Sequence, residues 1–173
     1  MMKIKQEASE RHVLTITVDN EAGILAKIAG LFTARGYNID SLTVTETEHE
    51  KHVSRITIVT RGTPAVIEQI KHQLERLVPV HRVRDLTLEG NSVERELALV
   101  KVAGKGEKRI EALRLAEIFR AKVIDTSTEH FVFEITGKST KIETFIGIMS
   151  ELGLVEVSRT GIAAIGRGSG GMM

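Results

Sequence analysis

The chain has 173 residues, of which 42% are apolar and 27% charged, the composition of a folded domain or two small ones rather than of a disordered chain. Lys and Arg number 24 against 23 Asp and Glu, so no net field would hold the chain on nucleic acid or on an anionic membrane. Cysteine is absent, which excludes a disulfide framework, thiolate catalysis and a Cys-ligated metal, and 3% aromatics without Trp provide poorly for base stacking.

The opening Met1-Met2-Lys3-Ile4-Lys5-Gln6-Glu7 is polar and lacks an apolar signal core. No apolar run approaches the ~20 residues of a membrane span, and the expectation is a soluble, cytoplasmic protein. From Val13 to Val18, Leu14, Ile16 and Val18 alternate with Val13, Thr15 and Thr17, the period of two of a strand. Asp19-Asn20-Glu21-Ala22-Gly23 then brings helix-start chemistry. Leu25, Ile28, Ala29 and Phe32 fall on one helical face, with Gly36 as a left-handed C-cap. Two β-rich runs follow, at 38–47 and 52–60, joined by the polar stretch Glu46 to Lys51. Thr63-Pro64 sets an N-cap before a first-turn proline; Ile67, Ile70, Leu74 and Leu77 repeat helically until Pro79. Val80 to Leu88 reads as a strand.

After a linker-like Glu89-Gly90-Asn91-Ser92 the order repeats. Leu97 to Val102 is a strand, and 107–121 is a helix carrying Ile110, Leu113 and Ile118. Val123-Ile124 pairs with Phe131 to Ile135, whose aromatics enter a core. Thr140 and Glu143 form a capping box for a helix on Ile142, Phe145, Ile146 and Met149, ended by Gly153. Leu154 to Val157 is the last strand. The fold class is therefore α+β, two ferredoxin-like βαββαβ units over 12–88 and 93–160, with a glycine-rich, flexible tail at 161–173.

No hydrolytic motif is present, and the six histidines, at 12, 49, 52, 72, 81 and 130, read as surface residues without metal-ligand spacing. Gly104-Lys105-Gly106 lacks the spacing of a phosphate loop and reads as a strand-to-helix turn. The richest signal is Asp19-Asn20-Glu21-Ala22-Gly23-Ile24-Leu25. It joins a strand to a helix N-terminus, where unpaired N–H groups seat a carboxylate and the Asn20 amide suits an ammonium and a carboxylate together. The same residues are also accounted for by a simple N-cap at Asn20 and a closely packed Gly23.

Asp19-x-x-x-Gly23-Ile24-Leu25 at the first strand–helix turn resembles the effector loop of an ACT domain. The run Gly30-Leu31-Phe32-Thr33-Ala34-Arg35-Gly36-Tyr37-Asn38-Ile39-Asp40-Ser41-Leu42-Thr43-Val44 strongly resembles the small, regulatory subunits of acetolactate (acetohydroxyacid) synthase. So do Val93 to Val102, Glu117 to Asp125 and Val155 to Gly161, so that the likeness spans residues 12–168. This resemblance implies a first unit that is an ACT domain and a chain with no catalytic residues, metal or cofactor of its own. Thiamine diphosphate, Mg²⁺ and FAD are expected on a separate large catalytic subunit, which the small subunit activates and places under feedback inhibition by valine in branched-chain amino-acid biosynthesis. It implies a homodimer through the ACT domain, with Asn20, Gly23, Ile24 and Leu25 of one protomer and Asn38 and Ile39 of the other around the amino acid. Ile24, Leu25 and Ile39 would give a socket for the branched side chain. A stand-alone tandem-ACT amino-acid sensor would keep the Asn20–Gly23 loop without the second-half motifs. An RNA-recognition domain shares the βαββαβ order but would need paired strand aromatics in the first unit.

Overall fold

The computed structural model describes all residues except 1–7, 49, 51, 91 and 173, and so leaves aside the polar lead-in, His49 and Asn91. Two units divide the chain, one of residues up to Val93 together with Ala164–Met173, the other Glu94–Ala163. In the first, the elements are β1 (Glu10–Asp19), α1 (Ile24–Ala34), β2 (Ile39–Glu48), β3 (Val53–Gly62), α2 (Pro64–Glu75) and β4 (Val80–Asp85). They form an antiparallel sheet in the order β2-β3-β1-β4. Leu14, Ile16 and Val18 of β1 and Ile56 and Ile58 of β3 pack with Ile28 and Phe32 of α1 and Ile67, Ile70 and Leu74 of α2. The period of two in β1 thus sends one face to the helices and leaves Thr15 and Thr17 on the other.

The second unit repeats the order with β5 (Ser92–Val102), α3 (Glu107–Ile118), β6 (Lys122–Thr126), β7 (Phe131–Gly137), α4 (Ser139–Leu152) and β8 (Leu154–Arg159), the strands running β6-β7-β5-β8. Its core is aromatic: Phe133 and Phe145 meet edge to face at 6.0 Å, and Phe119 lies 5.4 Å from Phe145. Phe131 and Phe133 are buried there, as their alternation suggests.

Several local expectations hold. Thr63 caps α2 by accepting from the Val66 N–H at 3.4 Å, and Gly153 ends α4 in the left-handed region at φ 109°. Others are corrected. In α1 the buried stripe is Ile24, Ile28 and Phe32, and Leu25 is 41% exposed, because the helix starts directly after Gly23 and turns Leu25 outward. In α3 the buried residues are Ala112 and Ala116, while Ile110 and Ile118 are 69% and 63% exposed. At about 100° per residue each isoleucine stands about 160° round the helix from one of these alanines, whose small side chains admit close packing. The Thr140–Glu143 capping box does not form: α4 opens after Lys138, and Ser139 donates its hydroxyl to Glu96 at 3.0 Å. His12 is not a surface residue. It is 2% exposed, with Nδ1 2.7 Å from Asp85 Oδ2, because it faces the same side of β1 as the apolar residues. The glycine-rich tail contains a short strand, β9 (Ala163–Gly166), and ends with Met172 buried.

Candidate functional site

The first strand–helix turn is held by its backbone. The Asn20 N–H donates to the His52 carbonyl at 2.6 Å, the Asp19 N–H to Pro79 at 2.8 Å, and the Ile24 N–H to Glu21 at 3.2 Å. His52 sits at φ 51°, an uncommon conformation for a non-glycine residue, and presents the carbonyl that receives Asn20. Gly23 is in the left-handed region at φ 85°, and a Cβ there would meet nothing within 4 Å. The turn needs glycine for its dihedrals and is open to solvent beside it.

Among the described residues neither Asn20 nor any other side chain caps α1. The Lys27 N–H closes the first helical bond on Gly23, and the N–H groups of Leu25 and Ala26 have no backbone partner among the described residues. Two unpaired donors, the positive end of a helix and an exposed Asn20 amide therefore share one surface, a combination suited to a carboxylate and to the groups next to it. The simple N-cap explanation of Asn20 fails on this geometry.

The other residues fall as follows. Ile24 is 5% exposed and belongs to the core, so it offers backbone to a ligand and no socket surface; Leu25 is exposed beside it. Asn38 and Ile39 lie at the start of β2. The Asn38 amide donates to Asp40 Oδ1 at 2.6 Å and its carbonyl accepts from the Thr60 hydroxyl at 2.6 Å. Ile39 is half-buried against the first core.

Strand register separates the two groups. Asp19, next to Asn20, pairs with Val53 of β3, whereas Ile39 pairs with Thr60. Seven residue-to-residue steps along β3 separate the two positions, about 23 Å at ~3.3 Å each. Within one chain Asn20 and Asn38 stand at opposite ends of the sheet and cannot touch one small ligand.

Two features escaped the sequence reading. His81 Nε2 lies 2.6 Å from Asp19 Oδ1 and pins the residue that precedes Asn20, and His52 supplies the locking carbonyl. Both partnerships join residues remote in sequence, and no local pattern reports them. A catalytic-looking trio also occurs in the β6–β7 turn. His130 Nδ1 is 2.8 Å from Ser127 Oγ, and Nε2 is 2.9 Å from Asp125 Oδ2, which holds the Asp125 carboxyl below its usual range. The Ser127 hydroxyl accepts the N–H groups of Glu129 and His130, so the trio locks a turn.

Comparison with known proteins bears on both units. The family described as the AHAS small subunit-like ACT domain matches residues 14–82, and that described as the small subunit of acetolactate synthase matches 95–168. A probable acetolactate synthase small subunit of Archaeoglobus fulgidus is 43% identical over 92% of this chain and 98% of its own length. The acetolactate synthase isozyme 3 small subunit of Escherichia coli is 42% identical over 91% and 96%. The crystal structure of the acetolactate synthase small subunit from Thermotoga maritima superposes with a TM-score of 0.84 at 42% identity, covering 92% of this chain and 99% of that one.

Proposed function

The chain belongs to the acetolactate synthase small-subunit family, and from that premise we propose that it activates a large catalytic subunit and makes it sensitive to valine. Family membership makes it a regulatory subunit with a catalytic partner and an amino-acid-binding ACT unit. Thiamine diphosphate, Mg²⁺ and FAD belong, in this reading, to the large subunit.

The observation that carries the proposal is the open helix terminus at Gly23. The Leu25 and Ala26 N–H groups receive the effector carboxylate, the Asn20 amide orients the α-amino and carboxylate groups, and exposed Leu25 lies beside the effector side chain. Asn38 and Ile39 come from a second copy. This follows from register: β2 is an edge strand, and a two-fold pairing of β2 with its partner's β2 in antiparallel sense sets the start of one strand beside the end of the other. The end of β2 lies at the Asp19–Val53 end of its own sheet, where Asn20 sits. Dimerisation thus brings together residues that one chain holds apart, and it covers an otherwise unpaired edge. An effector bound there acts by favouring one arrangement of the dimer, to the extent that its affinities for the two arrangements differ.

The test is reconstitution. The purified chain added to its large subunit raises pyruvate condensation, and valine then lowers it; the chain alone, given thiamine diphosphate, Mg²⁺ and FAD, makes no acetolactate. A large subunit whose activity and valine response are unchanged by the chain removes this function.

A further inference from the structure

The face of the first sheet turned away from α1 and α2 carries a cationic cluster beside Thr15 and Thr17. Thr17 of β1 lies between Arg55 of β3 and Arg82 of β4 in register, and Thr15 lies next to Arg84. The segment from Ala164 to Met172 runs across this face, tied down by a 2.7 Å hydrogen bond from Arg55 Nη2 to the Ala164 carbonyl and a 3.2 Å bond from Arg82 Nη1 to that of Gly171. Beneath it is a cavity of ≈ 410 Å³ lined by Thr17, Arg55 and Arg84 from the sheet and by Gly166, Gly168 and Gly170 from the strap.

The charge in this cavity is unbalanced. Arg84 is answered by Glu89, to which its Nε donates at 2.8 Å. Arg55 meets no carboxylate among the described residues. Its pKa is lowered first by burial and then by the neighbouring Arg84, both marks of a cation in want of a counter-ion. The Thr17 side chain is 8% exposed, and its hydroxyl is buried without a hydrogen-bond partner. From Arg167 to Met172 no backbone N–H makes a backbone hydrogen bond among the described residues, and Gly168 is at φ 92°. Successive free amides in such a loop form an anion-binding concavity. The Arg55 guanidinium, the Thr17 hydroxyl and the strap amides can all donate to a ligand in the cavity. They approach from the sheet below and the strap above, which suits a tetrahedral oxyanion better than a planar carboxylate.

We propose that this cavity binds phosphate, free or as the phosphate group of a small metabolite, between the Arg55 guanidinium, the Thr17 hydroxyl after rotation about χ1, and the amides of the glycine strap. The site shares no residue with the amino-acid turn, and its volume leaves room for a group attached to the phosphate.

The proposal is tested by calorimetric titration of the full chain at constant ionic strength with inorganic phosphate, glycerol 3-phosphate and malonate. Saturable binding of inorganic phosphate alone assigns the free ion, and binding of both phosphates assigns a metabolite phosphate. Arg55→Gln lowers the affinity at least about tenfold, as loss of a charge-assisted bond requires. Thr17→Val lowers it several-fold while leaving the melting temperature equal or higher, because it removes a hydroxyl that bonds nothing in the free protein; a purely structural role predicts the reverse. Arg114→Gln, at an exposed pair on α3, leaves binding unchanged. No saturable phosphate binding, equal binding of malonate, or an Arg55→Gln affinity no lower than that of Arg114→Gln overturns the proposal.

Discussion

The two units share one topology, and their first strand–helix turns differ in packing and charge. In the first unit the turn at Gly23 is open: a Cβ there would touch nothing and, among the described residues, no side chain caps α1 and two amides have no partner. In the second, the turn from Ala103 to Gly106 is packed at its strand end, whereas Gly106, which precedes α3, has open space around it like Gly23. The Ala103 N–H donates to the Gly153 carbonyl at 2.8 Å, and a Cβ on Gly104 would meet the Arg109 nitrogen and the Leu152 oxygen at 3.3 Å each. Glu107 in the first turn of α3 already answers the helix dipole with a negative charge. What separates the two turns is the close packing at Ala103–Gly104 and the charge of Glu107.

The sharpest way to break this comparison is a matched pair of alanine substitutions. Gly153→Ala would place a Cβ 2.3 Å from the Ala103 carbonyl oxygen at φ 109°, and it destabilises the second unit by roughly 3–5 kcal/mol in chemical denaturation. Gly23→Ala, with free space around it, costs only about 1 kcal/mol for its left-handed backbone. Equal losses at the two positions would show that the first turn is packed after all.

The next effect is on binding. Gly23→Asp sets a carboxylate beside the free amides in a conformation that Asp tolerates better than most residues. Losing one or two charge-assisted bonds of roughly 1.5–3 kcal/mol weakens valine inhibition of the reconstituted enzyme about ten- to a thousand-fold, while activation persists. Asn20→Ala and Asn38→Ala weaken it too. Because these residues stand at opposite ends of one sheet, a mixed dimer regains one intact site only when both changes lie on the same protomer. Unchanged inhibition in a folded Gly23→Asp variant would remove the assigned site.

The second unit instead invests its charge in structure. Glu96, 4% exposed, accepts both Arg159 donors at 2.8 and 2.7 Å and the Ser139 hydroxyl. Its pKa is lowered by Arg159 first, against the opposing pull of burial, with help from Ser139. A carboxyl with a folded pKa below its unfolded value adds stability above the unfolded value and loses it as pH falls through the folded one. Glu96→Gln therefore costs about 1–3 kcal/mol near neutrality. The difference from the parent shrinks as melts are taken at pH values falling below the ordinary Glu range. A gap that widens in acid would mean that the ion pair does not act in this way. The smallest change is expected at Ile110→Ser, on the exposed side of α3, within about 0.5 kcal/mol by thermal melting.

How much was legible in advance differs between these places. Thr63-Pro64 and Gly153 announce a helix start and a helix stop because caps act over three or four residues, within the reach of a local pattern. The role of the 19–25 turn was half legible. Its residues suggested an anion seat, but an N-cap explained them equally well until α1 was seen to start at Gly23, three residues beyond Asn20. The inward turn of Ile24 and the locking partners His52 and His81 were not legible, since each depends on strands that meet only after folding.

The sequence by itself determined the order of elements, the period that sends Leu14, Ile16 and Val18 to one face, the glycines required at positive φ, and a likeness long enough to identify the family. These follow from short-range sterics and from patterns that repeat within one element. Tertiary structure decided that Ala112 and Ala116 rather than Ile110 and Ile118 face the second core, that His12 is buried on Asp85, and that the tail crosses the outer sheet face with Arg55 left without a counter-ion among the described residues. It also set Asn20 and Asn38 at opposite ends of one sheet, because register is fixed by which residues of β3 face β1 and β2, a choice made by the packing of the whole sheet and written in no single strand.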